Sequence, residues 1–269
     1  MTDPAVPTDL LARDRSGPRG GVPLLLVHAG VADRRMWDPV WPALTAERDV
    51  LRIDLRGYGA STARPADDVL RPVDDLLAVL DAEDVARCHV VGASYGAGVA
   101  VELALREPDR VASLVLLAPG GSLLTEATDD FRAFAAAERA ALAAGDLDAA
   151  VEANLRAWVD GPGQPADRVD AGVRDLVARM QRRAFELTAD WDDVEEAEAD
   201  PPVSERLAEV TAPTTLVAGG LDVATVAVAV RSLRAALPSA TLHEWPDVAH
   251  MPSLERPEQV ALLLLSATG

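Results

Sequence analysis

The chain has 269 residues, 49% of them hydrophobic, enough for one large domain and its core. Its 44 acidic residues outnumber its 25 basic ones, giving a formal net charge of −19. A surface so acidic repels nucleic acid and anionic membranes, so neither is an expected partner.

Every cationic side chain other than histidine is Arg, and the single cysteine, Cys88, rules out an intramolecular disulfide. Residues 1–9 have neither a basic nor an apolar leader segment. No run of about 18 apolar residues is present to span a bilayer. A cytoplasmic location is expected.

The first twenty residues are rich in Pro, Gly and Arg, with a weak strand candidate at 10–12. Residues 22–27 are continuously apolar from Val22 to Val27, the pattern of a strand buried on both faces. Residues 50–54 form a second strand, and 68–80 have helical spacing. Residues 88–91 and 111–117 read as further strands. From 122 to 207 the pattern becomes almost wholly helical, with segments at 130–144, 146–159 and 166–188. Strands return at 214–218 and 240–245, separated by a helix at 224–236 and closed by a helix from about Arg256. Apolar strands alternating with helices predict a mostly parallel sheet covered on both faces. The block at 122–207 is too long for a loop and predicts a helical cap inserted into a core formed by 1–121 and 208–269. The acidic run at 190–200 reads as a solvated face or linker.

Gly92-Ala93-Ser94-Tyr95-Gly96 lies between the strand at 88–91 and a helical run beginning at Ala97. A G-x-S-x-G turn in that context exposes one serine hydroxyl at the top of a sheet. A side chain at either glycine would collide with the neighbouring strand or helix. An acyl-transferring serine also needs a base, a group to orient it, and donors for the oxyanion. In a parallel sheet these groups lie beyond the carboxyl ends of strands. Asp222 follows the strand at 214–218 and a Gly pair; by position it is either the orienting acid or an N-cap of the next helix. Asp247 is a rival, only three residues from His250. Of four histidines, His89 and His243 fall inside strands and His28 in the loop after the first strong strand. His250 alone sits in a late loop, which makes it the base candidate. The loop His28-Ala29-Gly30-Val31 and the N–H of Tyr95 are the oxyanion candidates, with Gly30 or Val31 as the first donor.

With these motifs the chain resembles the α/β-hydrolase superfamily over nearly its whole length. The nucleophile turn at Ser94, the strand end at His28, and Asp54-Leu55-Arg56-Gly57-Tyr58-Gly59-Ala60-Ser61 carry the resemblance. So do the strand-Gly-x-x-Asp at Asp222 and the His250…Glu255-Arg256-Pro257 segment. Ser94, Asp222 and His250 occur in that superfamily's order. Its nearest likenesses are capped bacterial esterases and the 3-oxoadipate enol-lactonase-like group. Where the family has His-Gly this chain has His28-Ala29-Gly30, and alignment on His28 favours Gly30 as the oxyanion donor.

The resemblance implies a carboxylic-ester hydrolase with a Ser94–His250–Asp222 triad, acting on a small ester or lactone without cofactor or metal. Serine at the turn argues against dehalogenase and epoxide-hydrolase chemistry, which use Asp there. A C–C bond hydrolase, a lyase or cyclase, or a ligand-binding protein on the same scaffold is the alternative. The apolar cap residues Leu123, Phe131, Phe134, Leu155, Trp158, Met180 and Phe185 are candidates for core or pocket, with Val31, Phe134 and Trp158 expected to touch substrate. Arg132, Arg139, Arg156, Arg182 and Arg183 are candidates for binding a substrate carboxylate or for facing water.

Overall fold

The computed structural model describes residues 11–268. Among them the strands are β1 (Arg13–Ser16), β2 (Leu24–Val27), β3 (Val50–Ile53), β4 (Val69–Leu70), β5 (Cys88–Ala93), β6 (Val111–Leu117), β7 (Glu195–Glu196), β8 (Thr214–Gly219) and β9 (Thr241–Trp245). The α-helices are α1 (Trp41–Glu47), α2 (Pro72–Ala82), α3 (Tyr95–Arg106), α4 (Asp129–Ala143), α5 (Leu147–Asn154), α6 (Ala171–Leu187), α7 (Ala224–Ala236), α8 (Pro252–Glu255) and α9 (Pro257–Ala267). Seven strands form one sheet in the order β1-β3-β2-β5-β6-β8-β9. All neighbours in it are parallel except β1, which runs antiparallel to β3.

Alternation along each strand feeds two apolar cores. In β2, Leu24 and Leu26 face a cluster with Met36, Trp37, Val260 and Leu264, while Leu25 and Val27 face one with Leu76, Leu80, Ala100 and Leu233. All four β2 side chains are fully buried. Each contributes roughly 2 kcal/mol relative to exposure.

The strand candidate at 10–12 lies partly outside the described residues, and β1 begins at Arg13. Helix α2 starts at Pro72, four residues later than the spacing of 68–80 suggests. Val69 and Leu70 instead pair in parallel with Glu195 and Glu196, so the apolar residues that mimicked a helical turn belong to a two-strand ladder. Part of the acidic run is therefore tied down, and Glu196 also accepts a hydrogen bond from the Tyr95 hydroxyl at 2.8 Å.

Helix α5 packs against both α4 and α6. Val151 of α5, Leu155 and Trp158 just after it, and Val177 and Met180 of α6 share one apolar cluster with Leu117, Val217, Val248 and Met251 of the sheet and its loops. Helix α5 runs into a π-helical turn at Leu155–Asp160. That wider turn redirects the chain and carries Trp158, a setting common at functional sites.

Candidate active site

Strand β5 hands over to α3 through Ser94, which has φ 51° and ψ −115°. A side chain rarely tolerates this conformation, and it persists only where the surroundings enforce it. They do so by close approach. A Cβ on Gly92 would lie 2.3 Å from the Gly96 carbonyl oxygen, and one on Gly96 would lie 2.5 Å from that of Val27. On the other side Gly120 follows β6, and a Cβ there would lie 2.9 Å from Ser94 Oγ. The Ser94 amide donates to Leu117 O at 2.9 Å, and Gly120 N–H donates to Ser94 O at 3.1 Å.

The loops after β8 and β9 are stitched together. Gly220 N–H donates to Trp245 O at 2.9 Å and Leu221 N–H to Val248 O at 3.0 Å. A Cβ on Gly219 would strike Ala249 O at 2.3 Å, so the Gly pair allows the two loops to touch. This contact sets Asp222 against His250, with His250 Nδ1 2.8 Å from Asp222 Oδ2 and 3.0 Å from Oδ1. Both side chains are buried, at 2% and 3% exposure. A carboxylate only accepts, so Nδ1 carries the proton and Nε2 is left as the basic nitrogen. Asp222 also accepts from the Val223 amide at 2.7 Å, but α7 has Val223, not Asp222, as its N-cap. Asp247 points elsewhere: it is 64% exposed and pairs with Arg256.

Glu255 braces the His250 loop from behind. Its carboxylate accepts from the amides of Ala249 and Met251, at 3.0 and 3.3 Å, one on each side of His250. It also accepts from Arg168 at 2.6 Å. Arg168 donates in turn to the carbonyls of Val159 and Asp160, both at 2.6 Å, in the π-helical turn. The same turn places the Trp158 ring 4.4 Å from the His250 ring. Phe131 and Phe134 meet Trp158 edge-on at 6.2 and 5.1 Å.

His28 holds the opposite rim. Its Nε2 accepts from Leu55 N–H at 2.9 Å, so Nδ1 carries the proton and donates to Ala29 O at 2.8 Å. Burial pushes its pKa below the ordinary value, in keeping with a neutral ring. The 54–61 loop is fastened below it: Ser61 Oγ donates to Asp54 O at 2.7 Å, and Arg56 pairs with buried Asp75 at 2.5 Å. That loop presents Tyr58, whose phenol burial pushes up to about 12. Gly30 lies against Tyr95, since a Cβ on it would sit 3.5 Å from Tyr95 Cβ. Among the described residues, neither the Gly30 nor the Tyr95 N–H has a hydrogen-bond partner.

Ser94 and His250 line one cavity of about 330 Å³, together with Gly30, Val31, Phe134 and Trp158. No hydrogen bond joins Ser94 Oγ to His250 among the described residues; such bonds are often long before substrate binds. The remaining walls include Tyr58, Glu138, Asn154, Gln181 and Phe185. Sequence reasoning passed over Tyr58, Glu138, Asn154 and Gln181. None of the five cap arginines weighed for carboxylate binding lines this cavity. Arg132 and Arg182 pair with Asp129 and Asp148 at the surface, and Arg182 and Arg183 border a separate hollow of about 450 Å³ that contains no serine or histidine. No group of three or more His, Cys, Asp or Glu suited to a metal ion occurs among the described residues, and no helix there is long and apolar enough to cross a membrane.

Comparison with known proteins agrees with this layout. A family model described as the alpha/beta hydrolase fold matches residues 22–257. The 3-oxoadipate enol-lactonase 1 of Acinetobacter baylyi is 25% identical over 245 residues, covering 91% of this chain and 87% of its own. The pimeloyl-[acyl-carrier protein] methyl ester esterase of Nitrosomonas europaea is 29% identical, covering 89% and 92%. The solved structure of Est816, described as an N-acyl homoserine lactone degrading enzyme, superposes with a TM-score of 0.73 at 26% identity over 95% of this chain and 96% of its own. Matches at 36% to 42% identity are confined to 104–109 residues and span only 29% to 39% of those relatives' length.

Proposed function

The chain belongs to the α/β-hydrolase family, and within it we propose that it is a serine hydrolase cleaving a small carboxylic ester or lactone. The observation that carries this reading is the buried Asp222–His250 pair opening onto the same cavity as a conformationally strained Ser94. In this reading Ser94 Oγ attacks the substrate carbonyl carbon as His250 Nε2 takes its proton. Asp222 holds the ring in that tautomer and stabilises the imidazolium that forms. The free N–H groups of Gly30 and Tyr95 receive the oxyanion; the contact of Gly30 with Tyr95 favours it over Val31. His250 then protonates the departing alkoxide, leaving an acyl group on Ser94, and a water activated by the same nitrogen releases the acid.

Residues 122–207 act as a cap over a core of 1–121 and 208–269, with Phe134 and Trp158 beside Val31 as substrate contacts. A cavity of about 330 Å³ suits a small substrate, at the lower end of the range for ligand sites. The chemistry needs no metal or cofactor. Esterase and lactonase activities among the relatives support the substrate class.

The test pairs a serine-directed fluorophosphonate probe with hydrolysis of methyl, p-nitrophenyl and lactone substrates. Single labelling at Ser94, lost together with turnover in Ser94→Ala, is the expected result. Hydrolysis that survives Ser94→Ala, or a protein that binds esters without turnover, would overturn it.

A further inference from the structure

The cavity has a polar wall that the proposed triad does not use. Helix α6 buries the stripe Val177, Met180, Gln181 and Ala184. Gln181 is the one polar member, 5% exposed, and its Oε1 has no hydrogen-bond partner. Nearly all buried polar atoms in native proteins are paired, so an orphan on a side chain that lines a cavity asks for a partner there. Glu138 of α4 lines the same space, and its carboxylate accepts from Asn154 Nδ2 at 2.5 Å. The second Asn154 N–H is spent on Ala150 O at 3.0 Å. None of the chain's 25 arginines borders the cavity. Apart from Ser94, His250 and the phenol of Tyr58, the other side chains on its walls are apolar: Val31, Leu124, Phe134, Trp158 and Phe185.

A carboxamide can turn either its oxygen or its NH₂ toward a ligand. The nearby carboxylate decides which end is useful. An anionic group entering this cavity would meet Glu138 with no arginine to offset it, whereas an N–H or O–H group would find acceptors on Gln181 and Glu138. We propose that Gln181 and Glu138 form a subsite for a hydrogen-bond-donating group on the substrate, an amide, hydroxyl or ammonium, and that they exclude substrates bearing a carboxylate. The inference rests on the ester-hydrolase reading and narrows its substrate class.

Four methyl esters separate the possibilities. Each carries, at the far end of a chain of two to four methylenes, a primary carboxamide, a carboxylate, an isopropyl group or an aminomethyl group. Carboxamide, carboxylate and isopropyl have nearly the same shape and differ in donor and charge. Methanol release at neutral pH gives kcat/KM for the enzyme, Gln181→Met and Glu138→Gln, read as ratios to the isopropyl ester. The carboxamide ester should exceed the isopropyl ester about tenfold, and the carboxylate ester should fall about tenfold below it. The aminomethyl arm distinguishes a cationic donor from a neutral one. Gln181→Met should remove the carboxamide advantage, and Glu138→Gln should raise the carboxylate ratio by about tenfold. If either variant fails to fold, the ratios in the unaltered enzyme and in the other variant still decide. Preference for the carboxylate ester, or ratios near one throughout, overturns the subsite while leaving the hydrolase reading intact. Failure to cleave any of the four, with no labelling at Ser94, overturns both.

Discussion

Gly120 offers a sharp test of how Ser94 is held. An added methyl would lie 2.9 Å from Ser94 Oγ, 3.3 Å from its carbonyl carbon and 3.4 Å from its Cα. The first distance forces movement of a hydroxyl free to rotate about one bond, and the second asks the Ser94 carbonyl carbon to give by only a few tenths of an ångström. Gly120 has φ −145°, so alanine meets no left-handed backbone penalty. Gly120→Ala should therefore cost the fold only about 1 kcal/mol, the price of an off-rotamer side chain. For a domain of this size that is roughly 2–4 °C in Tm. The oxygen proposed to react, however, should be displaced by an appreciable fraction of an ångström, and misplacement on the order of 1 Å costs about 10²-fold in rate. Gly92→Ala is the contrast: its methyl would meet the Gly96 carbonyl oxygen at 2.3 Å and Ala97 Cα at 2.6 Å, backbone that cannot step aside. That change should cost about 3 kcal/mol or more in stability. Thermal unfolding, fluorophosphonate labelling rates and kcat on one ester measure both effects. If Gly120→Ala labels at the unaltered rate, or loses its fold as completely as Gly92→Ala, the steric argument is wrong.

Two further outcomes follow from the site. Asp222→Asn should lower kcat about 10³-fold or more, because an amide no longer enforces the Nδ1–H tautomer; exposed Asp247→Asn should change it less than about twofold. Equal effects in steady-state assays would remove Asp222 from its role. Glu255→Gln sets an NH₂ against Arg168 or against the Ala249 and Met251 amides. Arg168 retains carbonyl acceptors, so the loss is about 2–3 kcal/mol, below that of a fully broken buried pair. A Tm drop of roughly 5–10 °C with a fall in kcat at little-changed KM is expected, and an unaltered melting curve would show that the brace is dispensable.

Strands β2, β3, β5, β6 and β8 were legible because each is a short, largely apolar run with turn residues near its ends, whereas β1, Arg13–Ser16, is wholly polar and was not; the candidates Ser94, Asp222 and His250 stood out because each lies in the turn or loop that follows a strand. Val69 and Leu70 misled for a physical reason. Two apolar residues followed by an amphipathic helix have the same local pattern whether they extend the helix or pair with a strand far along the chain, here Glu195–Glu196. The polar wall was missed differently. Gln181 stands next to Met180 on the inward stripe of α6, a polar break in an apolar period that carried a signal. Glu138 and Asn154 carried none, since charged and amide residues on Ala-rich helices ordinarily face water, and only the packing of α4 on α5 turns them inward. Tyr58 was within reach, as the one aromatic side chain in a loop otherwise occupied with fastening itself.

The Arg168–Glu255 contact bears on how such a protein can diversify. Grafting the whole 122–207 segment from a relative would remove the guanidinium that Glu255 shares with the His250 loop. A transplanted segment would have to supply its own cation at that point, or the recipient would need a neutral residue at 255. Changes confined to the inward sides of α4 and α6 leave this tie intact. New specificities are therefore reached more readily by scattered point substitutions than by exchange of the segment as a block, and a laboratory library should be drawn the same way.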